Sequence, residues 1–126
     1  MGVLAAAKPV AIICTRDRAG AAKFYRDTLG LRLKSEDDYA VVFDVGGIDL
    51  RVSTVPDFTA HEHTVLGFSI ADVAAAVREL IGKGVTFNTY KGFNQDQLGV
   101  WSLPNSILRV AWFNDPDGNV WSVTNA

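Results

Sequence analysis

The chain has 126 residues, of which 48% are hydrophobic and 21% are charged, and its formal charge at pH 7 is -2. This composition predicts a globular protein with a single domain over residues 1–126. Lys and Arg are scattered rather than clustered, which excludes the basic surface typical of nucleic-acid-binding proteins. We therefore expect a small-molecule ligand and a second copy of the chain, in a homodimer, as its partners.

The N-terminal segment and the cysteine content bear on the cellular compartment. The basic start of a secretory signal peptide is missing from MGVLAAAKPVAIIC, and no apolar run is long enough to span a bilayer. Cys14 is the single cysteine, so neither an internal disulfide nor a CxxC redox or zinc site can form. These features predict a cytoplasmic protein that does not bind membranes.

The first half of the sequence predicts the element order β-α-β-β-β. The apolar run Val10–Thr15 is typical of a buried strand, and helical spacing of apolar residues then predicts a helix near Arg18–Leu29. Asp17 is the expected N-cap of this helix, and Gly30 its expected end. Three strands are predicted in LRLKSED, YAVVFDV and IDLRVSTV, which are separated by acidic residues and by a Gly-Gly pair.

The same order of elements recurs in the second half. A strand is predicted at Val65–Ile70, followed by a helix near Asp72–Lys83 with Asp72 as its N-cap and Gly84 as its end. Three further strands are predicted in VTFNTY, ILRVAWF and VWSVTN. A longer segment, KGFNQDQLGVWSLPN, distinguishes the second half from the first.

The repeated order predicts an α+β fold with two βαβββ modules, at about residues 8–56 and 63–126. Asp72 follows Asp17 at nearly the same spacing as Gly84 follows Gly30, so strand and helix keep their register in both halves. Such a duplication indicates a pseudo-twofold arrangement. Eight strands are then expected to form a cup, with the helices on its outside.

Three stretches of the sequence resemble the vicinal oxygen chelate superfamily, which includes glyoxalase I, bleomycin-resistance proteins and extradiol dioxygenases. They are RDRAGAAKFYRDTLGLRL, FSIADVAAAVRELIGKGVTF and VAWFNDPDGNVWSV. They contain the FY-x3-LG element and the DPDGN turn, and the two modules together cover nearly the whole chain. The sequence is most similar to short bacterial members, and the resemblance implies sequestration or resistance-type binding of a small molecule.

Metal-dependent members of this superfamily carry ligands, usually His or Gln together with Glu, on the first and last strand of each module. The resemblance places these positions at Val10 and Arg51 in the first module and at Val65 and Ser122 in the second. None of these residues supplies an imidazole, thiolate or carboxylate, and a guanidinium repels a divalent cation. We therefore expect no metal and no other cofactor.

The alternation of side chains along a strand assigns several residues to the cup. Arg51 and Asp49 share one strand face, and Ser122 is expected to face the cup while Trp121 faces a helix. Arg51 is expected either to bind an anionic group of the ligand or to form a salt bridge with Asp49 at the rim. Cys14 is expected to face the cup as a small hydrophobic residue rather than as a nucleophile.

Aromatic residues are predicted to border the cup, either as core or as a platform for a ligand. They are Phe93, Trp101, Trp112 and Phe113. The glycine-bounded segment at residues 92–99 fits both a mobile flap and a long hairpin loop.

His61 and His63 have a spacing that would place both imidazoles on the same strand face. Two interpretations are open, a displaced metal site that also uses Glu62 or Asp49, and an exposed linker between the modules. The linker is favoured, because spacing places no third ligand nearby.

The sequence thus predicts a metal-free protein that binds a small, partly apolar or aromatic molecule, with or without an anionic group, in a cup. The expected ligand-binding residues are Val10, Cys14, Asp49, Arg51, Val65, Trp101, Phe113 and Ser122. The alternative is a metal-dependent lyase, isomerase or dioxygenase of the same superfamily with displaced ligands. A third option is metal-independent chemistry at Arg51 and Asp49. The sequence offers these residues as candidates but indicates no mechanism for them.

Overall fold

The structure, a computed structural model, describes residues 2–126. The chain forms two units, the first ending at Phe58 and the second spanning Thr59–Ala126. The division falls in the segment that separates the two predicted modules. No helix within residues 2–126 is long and apolar enough to cross a membrane.

A four-stranded sheet organises the first unit. Its strands are β1 at Val10–Thr15, β2 at Arg32–Glu36, β3 at Ala40–Val45 and β4 at Ile48–Thr54. They lie in the order β1-β4-β3-β2, with β1 and β4 parallel and the other pairs antiparallel. A short 3-10 helix at Val3–Ala6, which the sequence pattern does not predict, precedes β1.

Helix α1 follows β1 and is capped as predicted. It spans Arg18–Lys23 and continues as one π-helical turn over Phe24–Thr28. The Asp17 carboxylate accepts a hydrogen bond from the Gly20 backbone amide at 3.2 Å. Gly30 ends the helical segment with a φ of 71°, in the left-handed region that glycine reaches without a Cβ clash.

The face of the first sheet that packs against α1 forms the core of the first unit. Val41, Phe43, Leu50 and Val52 are fully buried there, and α1 contacts β3 and β4. The opposite face, which we call the open face of the first sheet, carries the alternate residues. Among them Ile12 is 64% exposed, so this face is not covered within its own unit.

The second unit repeats this architecture. Its strands are β5 at Thr64–Ser69, β6 at Trp101–Ser102, β7 at Arg109–Asn114 and β8 at Val120–Thr124, in the order β5-β8-β7-β6. Helix α2 at Val73–Gly82 is capped by Asp72, whose carboxylate accepts from the Ala75 amide at 3.0 Å. Gly84 follows with a φ of 96°. Two βαβββ units of α+β class, as predicted, are therefore confirmed.

One predicted strand of the second unit is wrong. The stretch VTFNTY forms no strand, and within it Phe87 makes only an isolated bridge to Phe113. Val85 and Phe87 are buried while Thr86 is exposed, so the segment has the alternation of a strand without the ladder. The partner of β7 at the edge of the sheet is instead β6, which lies in the longer segment that distinguishes this half.

The DPDGN turn between β7 and β8 is built around one buried carboxylate. Asp115 accepts hydrogen bonds from the backbone amides of Asp117 at 3.0 Å and Asn119 at 2.8 Å, and from the Asn119 side chain at 2.8 Å. Gly118 adopts a φ of 92° in the same turn. The turn joins β7 to β8, and the two strands pair so that Trp121 lies opposite Phe113 and Ser122 opposite Trp112.

Candidate ligand-binding site

Arg51 is the central polar residue on the open face of the first sheet. Its register neighbours are Ile12 on β1 and Val42 on β3, so an aliphatic side chain flanks it on either side. The side chain is half-buried. Among residues 2–126, none forms a hydrogen bond or an ion pair with its guanidinium. A charged group in this position is available to an external anion.

Asp37, in the connection between β2 and β3, interacts electrostatically with Arg51. Asp37 accepts backbone hydrogen bonds from Tyr39 at 2.8 Å and from Ala40 at 2.9 Å. These two bonds, and more weakly the charges of Arg51 and Arg18, hold the pKa of Asp37 below its usual value. Asp37 is thus a backbone-bonded turn residue and not a direct partner of the guanidinium.

The predicted salt bridge between Asp49 and Arg51 is wrong. Asp49 accepts a hydrogen bond from the Lys34 ammonium at 2.8 Å. That bond, with the charges of Lys34 and Lys8, lowers the pKa of the Asp49 carboxyl. Residues two apart on a strand point the same way but do not touch, whereas the long side chain of Lys34 crosses β3 to reach Asp49.

Val10 and Cys14 lie on the same open face, one at each end of the exposed part of β1. Val10 is 54% exposed and is the register neighbour of Asp49. Cys14 is half-buried and is the register neighbour of Ser53. The open face of the first sheet therefore combines aliphatic residues beside Arg51 with charged residues toward β2, where Arg32 and Asp44 are register neighbours and Lys34 bonds to Asp49.

Ser122 lies on the corresponding face of the second sheet, which we call its open face. Its register neighbours are Gly67 on β5 and Trp112 on β7. A Cβ atom placed on Gly67 would collide with the Ser122 hydroxyl, so the hydroxyl lies directly over that glycine. Trp121 is fully buried on the α2 side. Trp121 therefore faces α2 and Ser122 faces the opposite side of the sheet, as alternation predicts, while the assignment of Ser122 to a cup stays a prediction.

Val65 lies at an irregularity of β5, where the register with β8 shifts between Thr64 and Leu66. Its side chain is half-buried. The residue of β5 that pairs with Ser122 is Gly67, two positions further along.

Four aromatic side chains meet on the open face of the second sheet. This aromatic cluster comprises Tyr90, Phe93, Trp101 and Trp112. Ring centroids are 5.4 Å apart for Tyr90 and Trp112, 5.7 Å for Phe93 and Trp112, and 5.7 Å for Phe93 and Trp101. Phe93 remains 48% exposed and the other three are half-buried. The cluster thus keeps ring surface accessible to a ligand.

Phe113 does not belong to this cluster, which corrects the expectation that it contributes to a ligand site. It is fully buried and stacks on Trp121, with ring centroids 6.4 Å apart. Phe113 is the register neighbour of Trp121 on β8. Because paired residues share a face, Phe113 lies in the core on the α2 side of the sheet.

A cavity of about 420 Å³ opens beside the aromatic cluster, within the second unit, and we call it the aromatic pocket. Its lining comes from the start of β5, from the segment after α2 and from β7. The lining residues are Glu62, His63, Thr64, Tyr90, Lys91, Phe93 and Trp112. Its volume is in the range of small-molecule sites, as is its combination of aromatic walls with a few polar groups.

Sequence reasoning singles out some of these lining residues and misses others. Trp112 and Phe93 were expected near the ligand, but Tyr90, Lys91 and Thr64 were not. Strand alternation bears on the pocket only through Trp112, which pairs with Ser122 and therefore lies on the same face of the sheet. Trp101 contacts the cluster without lining the pocket itself.

The loop that follows Phe93 is held by its own side chains. The Gln95 amide accepts from the Tyr90 backbone N–H at 2.7 Å and donates to the carbonyls of Asn88 at 2.9 Å and Gly99 at 2.8 Å. Asp96 accepts from two further backbone amides. This network favours a hairpin loop over a mobile flap, and it fixes the backbone that presents Tyr90.

His61 and His63 are both exposed, and their rings stack with centroids 5.5 Å apart. No group of three or more His, Cys, Asp or Glu within residues 2–126 is arranged to hold a metal ion. The four positions that the resemblance assigns to metal ligands offer one hydroxyl and no imidazole, thiolate or carboxylate. The residues present therefore do not fit the metal centre of metal-dependent relatives.

A second cavity, of about 350 Å³, lies in the first unit at the end of the sheet where β3 turns into β4. Its lining is Lys8, Arg32, Leu33, Lys34, Asp44 and Gly47. None of the residues expected to bind a ligand lines it.

Comparison with known families accounts for this combination of repeat, sheet order and turn. A family model described as the glyoxalase/bleomycin resistance protein/dioxygenase superfamily matches residues 7–123. The chain belongs to this superfamily. No curated protein sequence matches the chain.

Solved structures of superfamily members have the same fold. A glyoxalase/bleomycin resistance protein/dioxygenase from Alicyclobacillus acidocaldarius is 16% identical with a TM-score of 0.71, and covers 94% of this chain and 90% of its own. A superfamily member from Sphaerobacter thermophilus is 23% identical with a TM-score of 0.67, covering 94% and 96%. A lactoylglutathione lyase from Agrobacterium tumefaciens is 17% identical with a TM-score of 0.68, covering 94% and 92%. Similarity at these identities establishes the fold alone.

Proposed function

We propose that the protein binds a small, partly aromatic molecule in the aromatic pocket, without a metal ion. The observation that supports this is the partly exposed aromatic cluster on the open face of the second sheet, beside a cavity of about 420 Å³. Aromatic residues on the α2 side of the same sheet, Phe113 and Trp121, are fully buried. Aromatic surface left accessible beside a cavity is the feature that a ligand ring would use.

The chemistry of the pocket suits a flat ring. Aromatic pairs in offset or edge-to-face contact contribute about 0.5–1.5 kcal/mol beyond the burial of their surface. Trp112, Phe93 and Tyr90 offer ring faces and edges from two different chain segments. A ligand ring that contacts two of them gains this contribution more than once.

A second part of the proposal concerns the open face of the first sheet. There, Arg51 would bind the anionic group of a ligand. A half-buried guanidinium that pairs with none of residues 2–126 keeps its N–H donors available to an external acceptor. A carboxylate, phosphate or phenolate supplies the missing acceptors, and the exposed Val10 and Ile12 suit an apolar ligand body.

Several finer expectations stay predictions. A homodimer in the cytoplasm is one of them, and the absence of a catalytic metal is another. The lactoylglutathione lyase from Agrobacterium tumefaciens shares the fold, but the residues at the assigned ligand positions of this chain do not favour a metal-dependent lyase.

The proposed function is tested by titrating the protein with an uncharged two-ring aromatic compound, 2-naphthol, in an isothermal calorimeter. We expect saturable binding that Trp112→Ala weakens about fivefold to tenfold, because one stacking contact is lost. Phe93→Ala, on an exposed loop position, provides a second variant with little risk to folding. Tyr39→Ala is the matched control, since Tyr39 is 76% exposed and lies in the first unit. Saturable binding that neither pocket variant alters would disprove this site.

A further inference from the structure

We infer that the aromatic pocket takes an aromatic zwitterion, a compound of the size of a free aromatic amino acid that carries both an ammonium and a carboxylate. This inference rests on the proposed function, because it concerns the same pocket. It adds the charge pattern of the ligand, which the ring contacts alone do not specify.

The observation that carries the inference is a pair of opposite charges in one cavity. Glu62 and Lys91 both line the aromatic pocket, and both are exposed. Neither makes a hydrogen bond or an ion pair with any of residues 2–126, and they do not pair with each other. Each charge is therefore available to a ligand.

The local structure places these two charges on different chain segments of the pocket. Lys91 lies in the turn that joins Tyr90 to Phe93, where the Phe93 amide donates to the Tyr90 carbonyl at 3.1 Å. Gly92 completes this turn with a φ of 88°. Lys91 is thus flanked in sequence by two aromatic residues of the pocket, while Glu62 precedes β5 beside His63 and Thr64.

Charge complementarity then selects among ligand classes. A purely anionic aromatic compound is attracted by Lys91 and repelled by Glu62, and a purely cationic one meets the reverse. A zwitterion satisfies both when its carboxylate lies toward Lys91 and its ammonium toward Glu62. His63 and Thr64 add further hydrogen-bonding groups on the Glu62 side. The ring of the same molecule contacts Trp112.

The inference is tested with four indole compounds measured by calorimetry at pH 7. L-Tryptophan carries both charges, 3-indolepropionate lacks the ammonium, tryptamine lacks the carboxylate, and indole lacks both. We expect L-tryptophan to bind about tenfold more tightly than either singly charged compound, since it makes one more charge-assisted contact.

Two conservative variants assign the charges. Glu62→Gln is expected to weaken L-tryptophan and tryptamine about fivefold to tenfold and to leave 3-indolepropionate no weaker. Lys91→Gln is expected to weaken L-tryptophan and 3-indolepropionate by a similar factor and to leave tryptamine no weaker. Glu79→Gln and Lys83→Gln are matched controls, because both residues are exposed on or next to α2 and neither lines the pocket.

The outcomes separate the inference from the proposed function. The zwitterion inference would be overturned if indole and L-tryptophan bound equally and neither Glu62→Gln nor Lys91→Gln changed the affinity. That result would still be consistent with an aromatic site. A singly charged compound binding more tightly than L-tryptophan would overturn it in favour of that ligand class. Failure of all four indole compounds and of 2-naphthol to bind would reject the inference and the proposed function together.

Discussion

Arg51 lies between aliphatic residues of the two neighbouring strands, and its guanidinium forms no hydrogen bond or ion pair with the residues that the structure describes. Arg51→Ala is expected to weaken 2-naphthoate by about 1.5–3 kcal/mol, because a charge-assisted hydrogen bond to the carboxylate is lost. The uncharged analogue 2-naphthamide should change much less. Arg26→Ala is the control, as Arg26 is exposed and bonded to Asp27 at 2.8 Å. Equal losses for both compounds, measured by calorimetry, would remove Arg51 from a ligand site.

Individual residues also show what alternation can and cannot predict. Ser122 and Trp121 face as predicted, because neighbours along one strand point to opposite sides. Phe113 was misplaced because it follows Trp112 on the same strand, so alternation allows only one of the two to face the cup, and Trp112 is the one on the open face. The partner of Asp49 was missed because Lys34 reaches it across an intervening strand.

At the scale of elements, the DPDGN turn makes a stability prediction. Asp115→Ala removes a buried acceptor from two backbone amides and one side-chain amide. We expect the free energy of unfolding to fall by about 1–3 kcal/mol, because the buried donors lose their partner. Urea denaturation followed by circular dichroism measures the change. Glu79→Ala, at an exposed position of α2, should stay within about 0.5 kcal/mol of the parent protein. Similar losses in both variants would contradict this role of Asp115.

Helix ends were predictable because the groups that make them are local. Asp17 and Asp72 each cap an amide three residues ahead, and Gly30 and Gly84 take up positive φ angles. The edge of the second sheet was not predictable, because two segments contact β7 at different points: Phe87 bridges Phe113, whereas β6 pairs with the start of β7. Local patterning favours the longer apolar alternation, whereas the ladder forms with the two-residue strand Trp101–Ser102.

At the scale of the whole molecule, the duplication is the feature that the sequence states most plainly. The two sheets have equivalent strand orders, β1-β4-β3-β2 and β5-β8-β7-β6. Each unit has an aspartate N-cap on its helix, a glycine after the helix and a parallel pairing of its first and last strands. The aromatic pocket, in contrast, also uses Tyr90, Lys91 and Phe93, which lie in a segment that has no counterpart in the first unit and which strand alternation does not place.

The last prediction concerns the metal content of the whole protein. We expect no stoichiometric Zn, Ni, Mn or Fe after purification from its host, because Val10, Arg51, Val65 and Ser122 supply no imidazole, thiolate or carboxylate at the family's ligand positions. Elemental analysis measures the content, and calorimetric titration with each divalent ion measures uptake. The control is a variant with both His61→Ala and His63→Ala. One ion bound per chain, and lost in that variant, would instead establish a displaced site at the stacked histidines and restore the metal-dependent alternative.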